Sequence, residues 1–284
     1  MNNKEIRFRK PRELSAIITD SFEFLKHEIK PISRILLVYV LPFIILYAGA
    51  QVYLQRNVFT QFDLSDPESI MANIGPFYSN LVIFMLFGIF VNSLLVGTYY
   101  SYLEAYIKLG KGNFTIQDIS SRFFSNSLLA LGAGLVYTSA IVLGFFMCIL
   151  PGIYIANTFS LIAFIVIFEK KGISEAISKS WRLVNSQWWN TLALNIAAVL
   201  MLYAAGTILS LPTIILGFST GLFAPANVNP AEFPDWYWIW SSVVSVVSTF
   251  LGVIPITFLA FQYFNLEQRE NRGRTELHDA DLKG

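Results

Sequence analysis

The sequence predicts an all-α integral membrane protein with six transmembrane helices and three amphipathic helices on the cytoplasmic face. The chain is 55% hydrophobic and 14% charged, with a mean hydropathy of +0.55, whereas a soluble domain normally has about 25% charged residues. Nineteen of its twenty Lys and Arg residues lie in four segments separated by long apolar stretches: 4–34, 108–122, 170–182 and 269–283. Only Arg56 stands apart. Cationic loops of multi-pass proteins stay on the cytoplasmic side, so we expect all four segments there.

Six apolar stretches are candidates for spanning the membrane, because a helix needs roughly 20 apolar residues to cross the hydrocarbon core. They are residues 33–54, 80–106, 127–150, 153–168, 188–218 and 236–264. The fourth stretch is short. Without it, however, the cations from Lys170 to Arg182 would face the outside, against the charge bias. Pro42, Pro212 and Pro255 lie within these stretches and predict kinks.

The spans predict which connections share a side of the membrane. Both termini and the 107–126 and 169–187 loops are expected on the cytoplasmic side, because they contain the clustered cations. The opposite side is expected to carry three connections. These are the 55–79 loop, a turn at Pro151-Gly152 and an irregular 219–235 loop.

Three shorter stretches in the cytoplasmic segments have apolar residues at helical spacing: 13–30, 116–124 and 173–184. Each precedes an odd-numbered span and is flanked by cations. Such helices lie in the membrane interface, with the apolar face toward the acyl chains and the cations among the headgroups.

These three stretches are compatible with a threefold internal repeat. Aligning Leu14 with Ile173 places three further pairs of similar residues together: Ile18 with Ile177, Ser21 with Ser180, and Phe22 with Trp181. The copy that begins at Ile116 follows the pattern more loosely. The alternative is a chance likeness between amphipathic helices.

The domain organisation follows from this repeat. We expect a single six-span domain over residues 1–267, built from units of roughly 13–106, 115–168 and 173–267. Residues 268–284 are charged and weakly apolar, so we expect a flexible cytoplasmic tail.

Basic residues beside the interfacial helices are the first group of candidate functional residues. Each cation near an anionic membrane surface adds about 1 kcal/mol to binding. The candidates for headgroup contact are Arg7, Arg9, Lys10, Arg12, Lys179 and Arg182. The alternative is that these cations only orient and anchor the chain.

Polar residues within the spans are the second group. A carboxylate or amide inside a membrane can line a path for ions or solutes, and the candidates are Asn92, Glu104, Asn157 and Asn195. The amides more often make hydrogen bonds between helices. For Glu104, an ion pair with Lys108 four residues later is the structural alternative.

The sequence carries no recognisable catalytic or metal-binding constellation. His27 and His278 have no second ligand at metal spacing, and Cys148 is the single cysteine. We therefore expect neither enzymatic activity nor a cofactor or metal. A net charge of +1 gives no field that would favour nucleic acid.

One stretch of the chain resembles a known family. The residues that carry the resemblance are Leu150-Pro151-Gly152-Ile153-Tyr154-Ile155, Phe168-Glu169, Gly172, Glu175-Ala176, Ser178, Ser180-Trp181-Arg182-Leu183 and Trp188-Trp189. This stretch resembles the membrane domain of some bacterial glycerophosphodiester phosphodiesterases and the YciC-like inner-membrane proteins. The resemblance implies a six-span bacterial inner-membrane protein. It does not imply phosphodiesterase activity, because the catalytic barrel would require roughly 250 further residues.

Two classes of function remain open from the sequence. The first is a non-enzymatic module of the bacterial inner membrane that binds lipid or acts as a scaffold, with membrane lipids and other membrane-protein subunits as partners. The second is a transporter or channel with a polar path between its helices.

Overall fold

The computed structural model describes residues 6–57, 67–223 and 233–281, and all regular structure in these residues is helical. This confirms the predicted all-α class. The described residues form ten helices: α1 Leu14–Tyr39, α2 Leu41–Asn57, α3 Pro67–Leu109, α4 Ile116–Met147, α5 Ile149–Thr158, α6 Ile162–Glu169, α7 Ile173–Ser186, α8 Trp188–Phe223, α9 Asp235–Leu251 and α10 Val253–Asp281.

The length and apolar character of these helices define a multi-pass membrane protein. Five helical segments in the described part of the chain are long and apolar enough to cross a membrane. A sixth is present if α1 and α2 count as one span bent by 63°. The bend lies at Val40, two residues before the predicted kink at Pro42. Pro42 has no N–H to donate to the preceding helix, so the hydrogen-bond ladder is interrupted there.

The turn predicted at Pro151-Gly152 is wrong, because both residues lie in the first turns of α5. The chain instead reverses at Cys148, whose backbone is extended between α4 and α5. Proline is tolerated at the start of a helix, where its missing N–H would have no acceptor within the helix. The Pro-Gly pair thus indicated the correct region of the chain, but the predicted turn lies three residues too late.

Two glycines allow α4 and α5 to approach each other closely after this turn. A Cβ atom on Gly152 would lie 2.5 Å from the ring of Phe145, and one on Gly144 would lie 3.0 Å from the Cα of Gly152. Neither position has space for a side chain, so both glycines are required for the close crossing.

Two other predicted spans contain breaks. The fourth span begins at Ile149, earlier than predicted, and is divided where α5 ends and α6 begins. The sixth is divided at Gly252 into α9 and α10. Pro255 is the third residue of α10, whereas α8 continues through Pro212.

The tail is more helical than predicted, because α10 continues to Asp281 rather than ending near Leu266. The two outer loops are also shorter than expected. Helix α3 already includes residues 67–79, and α8 continues to Phe223. The central parts of the predicted 55–79 and 219–235 loops lie outside the described residues.

Only one of the three predicted interfacial helices is a separate element. Residues 173–184 form α7, which begins after Gly172 and ends before Gln187. Residues 13–30 and 116–124 are instead the first parts of α1 and α4, which continue without interruption. The three copies nevertheless bury side chains at equivalent positions, counted from the first residue of α1, α4 and α7. The residues three positions later are Ile17, Ile119 and Ala176, those ten positions later are Phe24, Asn126 and Leu183, and those eleven positions later are Leu25, Ser127 and Val184.

The chain divides into two compact units. The first contains Met1–Leu36, Ser93–Leu200 and Val253–Gly284. Its core includes the fully buried rings of Phe24, Phe164 and Phe261.

The second unit contains Leu37–Asn92 and Met201–Gly252. Here α2 packs on α9, Tyr47 stacks on Phe84 with ring centroids 4.6 Å apart, and Trp240 donates a hydrogen bond of 2.8 Å to the carbonyl of Leu209.

The two units differ in the polarity of their buried side chains. Every buried polar or charged side chain in the described residues belongs to the first unit. A buried polar group requires a partner, because burial without one costs several kcal/mol. The candidate site is therefore built from the first unit.

We predict that the turn at Cys148 stays within the hydrocarbon of the membrane. Residues 140–153 contain no charged, amide or hydroxyl side chain, and Phe146 and Met147 are 90% and 78% exposed. A polar maleimide does not enter the hydrocarbon core, so it does not reach a thiol that lies there. With a polar maleimide on both sides of the vesicle membrane, Cys148 should react only after SDS is added.

The control is Asn57→Cys in a Cys148→Ala background, since Asn57 is exposed at the end of α2 and should react without SDS. Rapid labelling of Cys148 in folded protein would place the turn in water and contradict the prediction.

Candidate functional site

The segment before α1 is held against the first unit by a buried phenylalanine. Phe8 is 3% exposed. Its ring packs against four aromatic rings contributed by α1, α3 and α10. The centroid distances are 5.1 Å to Phe24, 6.0 Å to Tyr106, 4.3 Å to Phe261 and 6.0 Å to Phe264. Residues 7–12, which we term the basic segment, are therefore anchored before the first helix begins.

Arg12 is the second anchor of the basic segment, and its buried position does not favour the predicted headgroup contact. It is 5% exposed, and its Nε donates to Asp20 at 2.6 Å. The same guanidinium donates to three carbonyls of its own segment: those of Arg7, Phe8 and Lys10. With these partners, Arg12 folds the segment and has little capacity left for a lipid.

The backbone of Arg12 completes this attachment. Its N–H donates to the Oδ1 of Asn265 at 2.8 Å, and its carbonyl accepts from the Nη2 of Arg269, also at 2.8 Å. Both partners lie on α10, more than two hundred residues away in the sequence. The basic segment is thus fixed by side chain and backbone together.

The remaining cations of the basic segment are turned outward. Arg7, Arg9 and Lys10 are exposed, as the predicted headgroup contact requires. Among the described residues, no carboxylate lies within ion-pair distance of any of the three. Arg9 lies over the ring of Phe264, 5.8 Å from its centroid.

The two predicted headgroup cations of α7 are paired with acids. Lys179 is held at 2.6 Å from Glu169 and 3.6 Å from Glu267, with its side chain 13% exposed. This pairing does not favour the predicted lipid contact at Lys179, because its charge is already balanced inside the protein. Arg182 pairs with Glu270 at 2.9 Å, but its side chain is 56% exposed.

Glu104 is the most extensively paired buried acid in the described residues. It is 2% exposed. Its carboxylate lies 2.8 Å from Lys108, 3.4 Å from Arg122 and 3.8 Å from Lys170. The sequence predicted only the pair with Lys108. The other two cations come from α4 and from the junction of α6 and α7, so Glu104 connects elements distant in sequence.

Asn126 extends the Glu104 cluster. Its amide donates to Ser101 at 2.9 Å and to Glu104 at 3.4 Å, and its oxygen accepts from Lys170 at 2.6 Å. A glycine makes this contact possible, because a Cβ atom on Gly97 would lie 2.5 Å from the Cα of Ser127. Helices α3 and α4 therefore approach closely enough for short side chains to meet.

The charges around Lys170 are not balanced. Burial lowers the pKa of its ammonium below the usual value. Repulsion from Lys108 and Arg122 acts in the same direction, while attraction by Glu104 opposes it. One carboxylate serves three cations, so its loss would leave all three without their shared partner.

Glu28 is a second buried acid, and the sequence analysis missed it. It is 4% exposed, accepts a hydrogen bond of 2.6 Å from Tyr102, and pairs with Lys111 at 2.8 Å. The hydrogen bond to Glu28 raises the pKa of Lys111. Helical spacing could have revealed this residue, because Glu28 lies four residues from both Phe24 and Ile32 on the buried face of α1.

The ion pairs of α4 and α7 occupy equivalent positions. Arg122 follows the first residue of α4 by six positions, and Lys179 follows the first residue of α7 by six. Each pairs with an acid in the preceding helix, Glu104 or Glu169. In α1 the equivalent residue is Asp20, which pairs with Arg12. The charges are reversed there, because α1 contributes the acid and the preceding segment contributes the cation.

The four residues of the predicted polar path are not joined in one network. Asn195 donates to Asn157 at 2.9 Å, and Asn157 donates to the carbonyl of Trp188 at 3.1 Å. These bonds connect the broken fourth span to α8. Asn92 is exposed, and Glu104 belongs to the separate cluster described above.

The acids and cations of the site are suited to holding helices and charged ligands. In the described residues, no group of three His, Cys, Asp or Glu residues could hold a metal ion. The site consists of exposed cations on an anchored segment, together with ion pairs that are buried in the same unit.

These features define a multi-pass α-helical membrane protein with an anchored basic segment. The chain belongs to the family of the domain of unknown function DUF7847, whose model matches residues 100–266. The matched region includes Glu104 and Asn126, whereas the basic segment precedes it. No curated protein matches the chain, and neither does any solved structure.

We predict that Glu104→Gln destabilises the fold, because it leaves Lys108, Arg122 and Lys170 without their shared counter-charge. The three cations are partly exposed, so we expect a cost of about 1–3 kcal/mol rather than that of a fully buried charge. Thermal unfolding in detergent should show a midpoint several degrees lower. The control, Glu175→Gln, alters an exposed acid in the first turn of α7.

Adding Lys170→Gln should recover part of the loss, because the two residues interact directly. Equal melting temperatures for Glu104→Gln and Glu175→Gln would show that the cluster does not stabilise the protein.

Proposed function

We propose that this protein is a non-enzymatic module of the bacterial inner membrane whose basic segment binds anionic lipid headgroups at the cytoplasmic face. The observation that carries the proposal is the pattern of burial within the segment. Phe8 and Arg12 are buried and hold the chain, while Arg7, Arg9 and Lys10 remain exposed. Phe8 and Arg12 fix the position of the three exposed cations without forming ion pairs with them.

Anchoring matters because a flexible basic tail loses conformational entropy when it binds a surface. A segment already held in place avoids much of that cost. Each exposed cation can then contribute about 1 kcal/mol toward an anionic surface, and salt should weaken the attraction.

The cytoplasmic orientation follows from the clustering of cations in four segments. The bacterial inner membrane is supported by the resemblance of residues 150–189 to the YciC-like proteins and to the membrane domain of glycerophosphodiester phosphodiesterases. The non-enzymatic part of the proposal rests on the sequence, which offers no recognisable nucleophile and base. Other membrane-protein subunits are proposed as partners in a scaffolding role.

We expect the combined variant Arg7→Gln, Arg9→Gln and Lys10→Gln to lose affinity for phosphatidylglycerol by about a hundredfold at low ionic strength, since three contributions of about 1 kcal/mol are removed. The thermal stability should not change, because all three side chains are exposed. Native mass spectrometry of delipidated protein, titrated with phosphatidylglycerol, measures both the retained lipid and the intact fold.

The matched control removes the same charge elsewhere, through Lys26→Gln, Arg272→Gln and Arg274→Gln, at three other exposed residues. If the control loses as much lipid as the basic-segment variant, net charge alone drives binding and the proposal fails.

The alternative class, a transporter or channel, requires Asn92, Glu104, Asn157 and Asn195 along one path. The structure joins only Asn157 and Asn195 by a direct hydrogen bond among these four. Solute flux in liposomes that Glu104→Gln abolishes, with no change in melting temperature, would favour transport over the proposed role.

A further inference from the structure

A polar cavity of about 370 Å³ lies beside the attachment of the basic segment. It is formed by the start of α1, the junction of α7 and α8, and α10, all within the first unit. Its volume falls in the range of about 300–1,000 Å³ that is typical of small-molecule sites. Besides Arg12, the polar side chains that line it are Glu13, Gln187, Asn190, Gln262, Asn265 and Arg269.

The cavity wall carries two opposite charges that are not paired with each other. In the described residues, no ion pair within 4.0 Å joins Glu13 or Arg269 to an opposite charge. Arg12 also lines the cavity, but its charge is balanced by Asp20 at 2.6 Å. The cavity therefore offers one cation and one anion to an occupant.

Arg269 is positioned by the protein and retains hydrogen-bonding capacity. Its Nε donates to Asn265 at 3.1 Å, and its Nη2 donates to the carbonyl of Arg12 at 2.8 Å. A guanidinium has five N–H groups, so three remain for an acceptor. A phosphate fits this geometry, because it accepts two parallel hydrogen bonds from arginine.

The amides of the cavity are held by hydrogen bonds rather than free to rotate. Gln262 and Asn265 are 1% and 2% exposed. The amide of Asn265 donates to Gln262 at 3.1 Å, and that of Gln262 donates to Thr191 at 2.8 Å. At the junction of α7 and α8, the exposed amide of Asn190 donates to Gln187 at 3.1 Å. The polar lining is thus a fixed surface and not a gap between mobile side chains.

We propose that this cavity binds a phosphate ester that carries an ammonium group, as in the headgroup of an aminophospholipid. The phosphate is bound by Arg269, and the ammonium faces Glu13. Leu14 and Ile17 also line the cavity and provide apolar contact for the glycerol end of a lipid. The inference rests on the proposed lipid-binding function, but it assigns a different site and a different lipid class from those of the basic segment.

The test compares phosphatidylethanolamine with phosphatidylglycerol, which has the phosphodiester but no amine. Native mass spectrometry is done on delipidated full-length protein that carries Arg7→Gln, Arg9→Gln and Lys10→Gln, so that phosphatidylglycerol bound at the basic segment does not mask the cavity. This protein, whose cavity is wild-type, should retain phosphatidylethanolamine in preference to phosphatidylglycerol. Arg269→Gln should reduce this retention at least tenfold. Glu13→Gln should abolish the preference for the amine-bearing lipid while the protein still binds phosphatidylglycerol.

Glu13→Gln is the decisive variant, because Glu13 is exposed and its loss should not disturb the fold. Arg269→Gln also removes a bond to the basic segment, so its melting temperature must be measured alongside. The matched controls are Glu175→Gln and Arg272→Gln, which alter exposed charges outside the cavity. Both should keep the wild-type preference.

Competition with soluble phosphoethanolamine identifies the source of the group. If phosphoethanolamine displaces phosphatidylethanolamine only at a much higher concentration than the lipid, the occupant is a lipid. If phosphoethanolamine binds as tightly as phosphatidylethanolamine, the occupant is a free phosphate ester of the same chemistry. Equal retention of both lipids, with the cavity intact and with Glu13→Gln, would overturn the inference. The proposed function is tested separately, because the basic-segment variant should lose phosphatidylglycerol while keeping phosphatidylethanolamine.

Discussion

Buried carboxylates and the cations around them hold the first unit together. Glu28 and Glu104 are almost fully buried, and each pairs with cations from elements distant in sequence. A buried charge that loses its partner costs far more than a surface ion pair contributes, so such pairs restrict which helices can be neighbours. Apolar packing between membrane helices cannot provide this selectivity, because acyl chains are as apolar as leucine. The ion pairs therefore determine the arrangement, and the close approach at Gly97 makes room for it.

The segregation of polar groups accounts for the different character of the two units. The second unit contains aromatic contacts such as the stacking of Tyr47 on Phe84. The first unit contains every buried polar side chain of the described residues. Binding of a charged headgroup requires fixed donors and acceptors, so chemistry of this kind is expected where the polar network lies.

The fold class was predictable from the sequence, because the positions of cations and apolar stretches are properties of the sequence itself. The breaks within the spans were less predictable. Pro42 indicated its bend, but Pro151 indicated a turn where the structure begins a helix. A proline shows where a backbone donor is missing, and whether the chain turns or begins a helix there depends on the neighbouring helix. The tail beyond Leu266 was predicted to fray, yet α10 continues, partly supported by the pair between Arg182 and Glu270.

The candidate site was less predictable than the fold, because net charge does not reveal which cations are already paired. Arg12 and Arg9 are alike in sequence context, yet Arg12 is buried against Asp20 and Arg9 is exposed. The difference arises from Phe8, whose ring fills an aromatic pocket contributed by three helices. A lone phenylalanine among basic residues gives no periodic signal, so only the assembled helices reveal its partners. Once Phe8 is anchored, the segment directs Arg12 inward, where it folds the protein, and leaves Arg7, Arg9 and Lys10 exposed.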